Sequence, residues 1–211
     1  MADASGIYVL AGTNGAGKSS IAGAMFVQAG AAYFNPDAAA RLIRARHPRL
    51  TPEQANGAAW REGTRLLERA ITEGRVFAFE TTLGGNTITA LLERALASGL
   101  EVRVWYIGLS SPELHLARVR ARVARGGHDI PEARIRARYD SGRLNLIRLL
   151  PKLTELRVYD NSADADPHAG VAPEPRPILH MIRGKVVGSC PLAEIPEWAK
   201  PILAAALTRR G

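Results

Sequence analysis

A chain of 211 residues has room for one well-buried domain and too little for two. Its 46% hydrophobic and 23% charged content is ordinary for a globular fold, and the one cysteine, Cys190, excludes an internal disulfide and a cysteine-built zinc cluster. The net charge of +8 favours anionic partners such as nucleotides, nucleotide-sugars, nucleic acid or an acidic protein, with arginines on solvated helix faces as the plainer explanation.

The opening Met1–Gly6 has neither a basic start nor an apolar stretch, and no run approaches the length of a membrane span. No secretory leader and no membrane association are expected, and the cytoplasm is the expected location. Ile7 to Ala11 is predicted as the first strand. It delivers Gly12-Thr13-Asn14-Gly15-Ala16-Gly17-Lys18-Ser19, with the spacing GxxxxGK[ST] of a phosphate-binding P-loop, ahead of an Ala-rich helix over about 17–29. Glycines let successive backbone N–H groups point inward at phosphate oxygens, and the positive helix end adds to that field. The motif predicts a nucleoside triphosphate held by Gly12, Asn14, Gly15, Ala16, Gly17, Lys18, Ser19 and Ser20. Lys18 reaches the β- and γ-phosphates, and the Ser19 hydroxyl ligates Mg2+.

A short apolar run, 31–34, reads as a second strand ending at Asn35-Pro36-Asp37, where Asn35 caps a helix with Pro36 at its first position. Asp37 then stands at a strand end, where α/β folds put their chemistry, although a carboxylate there also suits the helix dipole. His47-Pro48 breaks this helix. Thr51-Pro52-Glu53-Gln54 is a capping box opening a long helix to about Thr72, with Trp60, Leu66 and Leu67 expected on its core face. After Gly74 the strand 75–80 ends in Glu80, a candidate ligand for metal or substrate, followed by the hydroxyls of Thr81 and Thr82. A helix over 87–98 and a strand over 102–107 come next.

Ser111-Pro112-Glu113 caps a further helix. Along it Arg118, Arg122 and Arg125 form one stripe, and Leu114, Ala117, Ala121 and Ala124 form another, expected to be apolar and inward. Gly126-Gly127-His128 interrupts, with His128 expected as a loop residue, Asp129 and Glu132 cap again, and Arg134, Arg136, Arg138 and Arg143 follow. A glycine-hinged, Arg-rich helical pair late in a P-loop chain fits a phosphate-covering lid, with Arg118 and Arg125 as its clamps and no role assigned to Arg120 or Arg136. A solvated basic face is the plain alternative. Residues 156–161 read as the last parallel strand and 163–177 as an irregular loop. A hairpin then runs over 178–189, and a closing helix over 194–208. The alternation predicts a single α/β domain with a mostly parallel sheet, helices on both faces and a small C-terminal β-hairpin plus helix. Its core would span 1–162 and its appendage 178–211.

Several stretches together resemble the zeta-toxin family of P-loop kinases, in its compact bacterial branch. These are Gly12–Ser19, Asn35-Pro36-Asp37, Phe79-Glu80-Thr81-Thr82, Gly108–Leu114, Arg122–Pro131 and Val158-Tyr159-Asp160-Asn161-Ser162. The resemblance implies transfer of the γ-phosphate of ATP or GTP to a sugar hydroxyl of UDP-N-acetylglucosamine. It also implies Mg2+ as cofactor, held by Ser19 and Glu80, and an antitoxin protein as partner. By position it implies that Lys18 binds the triphosphate, Asp37 takes the acceptor's proton, and Glu80 and Thr82 contact the sugar; Thr81, at the same strand mouth, and Asp37 are expected to hold the substrate with them. Arg118 and Arg125 would clamp the phosphate in transfer. Other acceptors stay open at this point: a nucleotide, an antibiotic or a polynucleotide 5′-end. So does a non-catalytic, NTP-dependent module gripping nucleic acid, which is disfavoured because no aromatic platform is interleaved with the basic residues.

Overall fold

The computed structural model describes residues 6–18, 33–163 and 174–208. The expected P-loop helix beyond Lys18, with Ser19 and Ser20, lies outside the described residues, as do the start of the second strand and most of the 163–177 loop.

Seven strands make one sheet: β1 (Ile7–Ala11), β2 (Tyr33–Phe34), β3 (Phe77–Thr81), β4 (Val102–Gly108), β5 (Glu155–Asp160), β6 (Arg176–Ile182) and β7 (Lys185–Ser189). Their order is β2-β3-β1-β4-β5-β6-β7, parallel through β5 and antiparallel from there on. Among the described residues there are six α-helices, α1 (Pro36–Arg46), α2 (Pro52–Glu73), α3 (Asn86–Ala97), α4 (Pro112–Ala124), α5 (Glu132–Leu149) and α6 (Lys200–Leu207). The α/β, mostly parallel, P-loop kinase-like architecture is as the alternation predicts.

The central strand β1 is apolar without alternation, as a strand covered on both faces of a parallel sheet is: Ile7, Val9, Leu10 and Ala11 are all buried. One large core joins Val9, Phe79, Val104, Tyr106 and Val158 to Leu67 of α2, Leu92 of α3 and Leu146 of α5. The local signals behave as expected. Asn35 Oδ1 accepts from Ala38 N at 2.9 Å, and Thr51 and Gln54 close a reciprocal capping box at 3.2 and 2.8 Å.

Four expectations are corrected. Trp60 is 49% exposed rather than in the core, because its neighbour Ala59 and the small Ala55 take the inward face against α1. The inward stripe of α4 is His115, Leu116 and Val119 rather than the expected Leu114, Ala117, Ala121 and Ala124; bulkier groups win the buried side. Pro131, not Asp129, occupies the N-cap of α5, and the Asp129 carboxylate instead accepts from Ile130 N at 2.8 Å. The closing helix begins only at Lys200, since Pro191 and Pro196 hold the preceding chain in two short 3-10 turns, Leu192–Glu194 and Glu197–Ala199.

The C-terminal hairpin turns at Arg183-Gly184, both with positive φ (47° and 77°), as a two-residue hairpin connection requires. It extends the main sheet: β6 pairs with β5, and Ile178, Leu179, Met181, Trp198, Ile202 and Leu203 join the large core.

Candidate active site

All strands from β2 to β5 run in parallel, so their C-terminal ends share one edge of the sheet. Five loops therefore meet there: Gly12–Lys18 after β1, Asn35–Asp37 after β2, Thr81–Gly85 after β3, Leu109–Ser111 after β4 and Asn161–Ala163 after β5. Open α/β sheets bind ligands at such an edge.

The P-loop is bent by positive φ at Gly15 (86°) and Gly17 (87°). At both, neighbouring chain stands where a side chain would go: a Cβ at Gly15 would lie 2.7 Å from the His115 carbonyl, and one at Gly17 would lie 2.5 Å from Asn161 Nδ2. Lys18 Nζ folds back over this loop, donating to the carbonyl of Gly12 at 2.6 Å and approaching that of Thr13 at 3.5 Å. Burial pulls the Lys18 ammonium below its ordinary range. Glu80 and Asp37 oppose that shift, and Arg122 and Arg138 add to it. Two acids and two arginines thus act electrostatically on one half-buried cation.

The acids come from the β2–β3 side. Glu80, 7% exposed at the end of β3, accepts a hydrogen bond from the Tyr33 phenol, whose pKa is pushed up by burial and by that carboxylate. Asp37 stands in the first turn of α1. Thr81 and Thr82 follow Glu80, and their hydroxyls accept from the N–H of Leu83 (3.0 Å) and Gly84 (3.4 Å), shaping the turn that leads to α3.

The basic side is built by α4 and α5. Arg122 Nη1 lies 3.7 Å from Asp37 Oδ2, while Nη2 donates to the His128 carbonyl at 2.7 Å. Arg138 Nη1 donates to Asn14 Oδ1 at 2.8 Å, and its carbonyl accepts from Thr13 Oγ1 at 3.3 Å. Burial lowers the Arg138 pKa, the neighbouring Arg134 adds to that, and Asp37 counters it. Of the two arginines singled out in the sequence, Arg118 donates to the carbonyl of Ala163 at 3.1 Å, and Arg125 is the exposed C-cap of α4. The structure therefore brings Lys18, Asp37 and Glu80 together with Arg122 and Arg138. Arg136 is engaged with Glu113 and Glu132, and the His128 ring meets Asn56 at 3.0 Å.

Three further residues were not assigned from sequence. His115, 1% exposed, holds the Asn14 carbonyl through Nδ1 at 2.9 Å. Burial drives its pKa down to about 4, so it is a neutral imidazole donating from Nδ1. Asn161, also 1% exposed, donates from Nδ2 to the Ala16 carbonyl at 2.8 Å. Tyr33 is the third. Only Asn161 carried a signal, through its place in the Val158–Ser162 motif. The donor chemistry around Lys18 fits a hard divalent cation, since both acids acting on it, Glu80 and Asp37, offer carboxylate oxygens.

Comparison with known proteins bears on this geometry. The family model described as Zeta toxin matches residues 4–166. A curated relative, an uncharacterized protein of Haemophilus influenzae, is 35% identical over 133 residues, covering 61% of this chain and 88% of its own length. Among solved structures, the AvrRxo1-ORF1:-ORF2 complex with ATP covers all of this chain at 16% identity and a TM-score of 0.67, this chain spanning 66% of that one. The PezAT chromosomal toxin-antitoxin system of Streptococcus pneumoniae covers 82% of this chain and 75% of its own, at 16% identity and a TM-score of 0.57. A putative kinase of Chloroflexus aurantiacus covers 79% and 95%, at 14% identity and a TM-score of 0.56. At these identities the structural likeness is one of fold. With a family match that spans the P-loop and the four other strand-end motifs, the chain belongs to the zeta-toxin family of P-loop kinases.

Proposed function

We propose that this protein transfers the γ-phosphate of ATP or GTP to a hydroxyl of a UDP-activated sugar resembling UDP-N-acetylglucosamine. The observation that carries the reading is the cluster over the P-loop, where Lys18 folds onto the Gly12 carbonyl, Arg122 lies 3.7 Å from Asp37 and Arg138 holds Asn14, with Asp37 and Glu80 acting electrostatically on Lys18. Such an arrangement suits phosphoryl transfer, in which positioning and charge stabilisation do most of the catalytic work.

The P-loop N–H groups of Gly12–Lys18 and the Lys18 ammonium hold the triphosphate. Asp37 accepts the proton of the acceptor hydroxyl as its oxygen bonds to the γ-phosphorus. The bond from that phosphorus to the β,γ-bridging oxygen breaks, and the nucleoside diphosphate leaves carrying the electron pair. Arg122 and Arg138 neutralise charge on the group in transfer, with Arg118 and Arg125 as further cations on the same helical pair. Arg122 is already beside Asp37, so the proton acceptor and the phosphate's cation are held as one unit. Glu80, Thr81 and Thr82 contact the acceptor. Ser19 and Glu80 would hold Mg2+, which would supply charge neutralisation on the triphosphate. We assign the protein to the cytoplasm, with an antitoxin protein as partner. Among the described residues no helix is long and apolar enough to cross a membrane.

The test is a phosphotransfer assay with Mg2+ and ATP on a panel of UDP-sugars, read by mass spectrometry, with Asp37→Ala as control. A product heavier by one phosphate, absent with the variant, is the expected outcome. Transfer to nucleotides or to oligonucleotide 5′-ends in preference to every UDP-sugar would replace the acceptor. Salt-sensitive binding to generic DNA with no transfer to anything would overturn the kinase reading.

A further inference from the structure

Trp198 lies beyond the residues matched by the family model, in the turn that precedes α6. It is 2% exposed, and its indole stands where a Cβ on Gly108 would be, so only glycine lets the ring reach the end of β4. Its Nε1 donates to Asp160 Oδ1 at 3.0 Å, on the last residue of β5. Asp160 also accepts from Ser162 Oγ, and Ser162 Oγ accepts from Ser110 N at 2.7 Å. The Ser110 carbonyl accepts from the Tyr139 phenol at 3.1 Å, Arg143 lies 4.1 Å over the Tyr139 ring, and Arg143 Nη1 returns to the Trp198 carbonyl at 3.4 Å. A closed circuit thus ties the C-terminal segment to the two loops that follow β4 and β5.

Inside that circuit sits Asn161, whose N–H donates to the Gly108 carbonyl at 3.0 Å and whose Nδ2 holds Ala16 of the P-loop. Its Oδ1 is buried and, among the described residues, has no hydrogen-bond partner. An acceptor left unpaired in the interior is unfavourable, so the amide is held in this position by its two donor contacts, to Gly108 and Ala16, at the expense of its Oδ1.

We infer that Trp198 is a positioning residue for the P-loop: by gripping Asp160 it fixes the 160–162 segment, and Asn161 transmits that fixity to Ala16 and Gly17. The consequence for nucleotide affinity rests on the triphosphate-binding reading of the P-loop, whereas the mechanical coupling does not. The hairpin and α6 then serve the nucleotide site as well as the sheet.

Trp198→Phe in the full chain keeps most of the ring and deletes the donor. Two readouts are needed, the ATP Kd by calorimetry and amide hydrogen exchange over residues 12–18 without nucleotide. The expected result is a Kd raised about three- to ten-fold, the scale of one ordinary hydrogen bond's net contribution, with faster exchange across the P-loop. Asp160→Ala is expected to do the same with the indole in place, while Asp160→Asn, which keeps a side-chain carbonyl, stays near wild type. Combining Trp198→Phe with Asp160→Ala is expected to raise Kd no further than either alone. A merely structural tryptophan would lower the melting temperature and leave both Kd and P-loop exchange at wild-type values, and that result overturns the inference. If the wild-type chain failed to bind ATP, the nucleotide reading would fall, and the exchange comparison would still decide the coupling.

Discussion

The two walls that face the P-loop differ in how they are made. The acidic wall, Asp37 and Glu80, is carried directly by strand ends: Asp37 is three residues past Phe34 of β2, and Glu80 is itself in β3. Its positions follow from the sheet register, which pairs Glu80 with Leu10 one residue before the loop begins to turn. The basic wall comes from long side chains on two helices, α4 and α5, joined by the Gly126-Gly127-His128 segment. There a helix's rotation decides which of several arginines faces the site. An acid on a strand end is fixed by the backbone, whereas an arginine on a helix is fixed by packing.

Breaking the common centre should have the largest effect. Lys18→Ala removes the cation on which both walls act, and turnover is expected to fall by about 10³-fold, with weaker ATP binding by calorimetry. Wild-type affinity in that variant would detach Lys18 from the phosphates. Removing the acidic wall alone separates chemistry from binding. Asp37→Ala is expected to lower turnover by about 10²- to 10⁴-fold with ATP Kd within two-fold of wild type, and equal loss of both would sink the base assignment. On the basic wall, Arg122→Ala is expected to cost about 10- to 100-fold in kcat and more than Arg125→Ala, which removes an exposed side chain. The reverse order would return the clamp to Arg125. The Arg122–Asp37 pair is partly exposed on both sides (37% and 44%), so Arg122→Ala should shift stability by less than about 1 kcal/mol in a thermal melt.

Apart from the site's chemistry, one effect is on stability alone. His115 is held neutral by burial, with a folded pKa of about 4 against an ordinary 6.5. Between those values the unfolded chain binds the extra proton, so stability contributed by His115 is full above pH 6.5 and is lost as pH falls toward 4. A difference of that size amounts to about 3 kcal/mol, with the upper part of the window, above the carboxylate range, belonging to the histidine. Urea melts from pH 7 to 5 should show this slope in wild type and a flatter one in His115→Leu. Identical slopes would mean that His115 is solvated or charged in the fold.

Much of the acidic wall is legible in the sequence because its signals are local. The Asn35 cap, Pro36 and the strand before them locate Asp37 within one turn, and an apolar run ending in a carboxylate locates Glu80. The basic wall is legible only as a set. The stripe Arg118, Arg122 and Arg125 is visible, but the pattern alone does not fix the helix rotation, and burial of His115, Leu116 and Val119 selects the one that brings Arg122 to Asp37. Trp60 and Trp198 make the same point about the core: both are tryptophans beside helix-forming residues, yet one is half exposed and the other is buried.

The sequence by itself determined the P-loop, the strand-end acids and the caps of α1, α2 and α4, because each depends on residues within a few positions of one another, and the family, because several such short motifs occur as a set. Only the tertiary structure decided that Arg138 grips Asn14 across 124 residues and that Asn161 grips Ala16 across 145. It likewise decided that the C-terminal segment closes a circuit onto the loops beside the nucleotide site. Local chemistry sets backbone shape over a turn or two of chain. Contacts between distant segments depend on how whole helices and strands pack, and that is a property of the summed burial of the fold rather than of any short stretch.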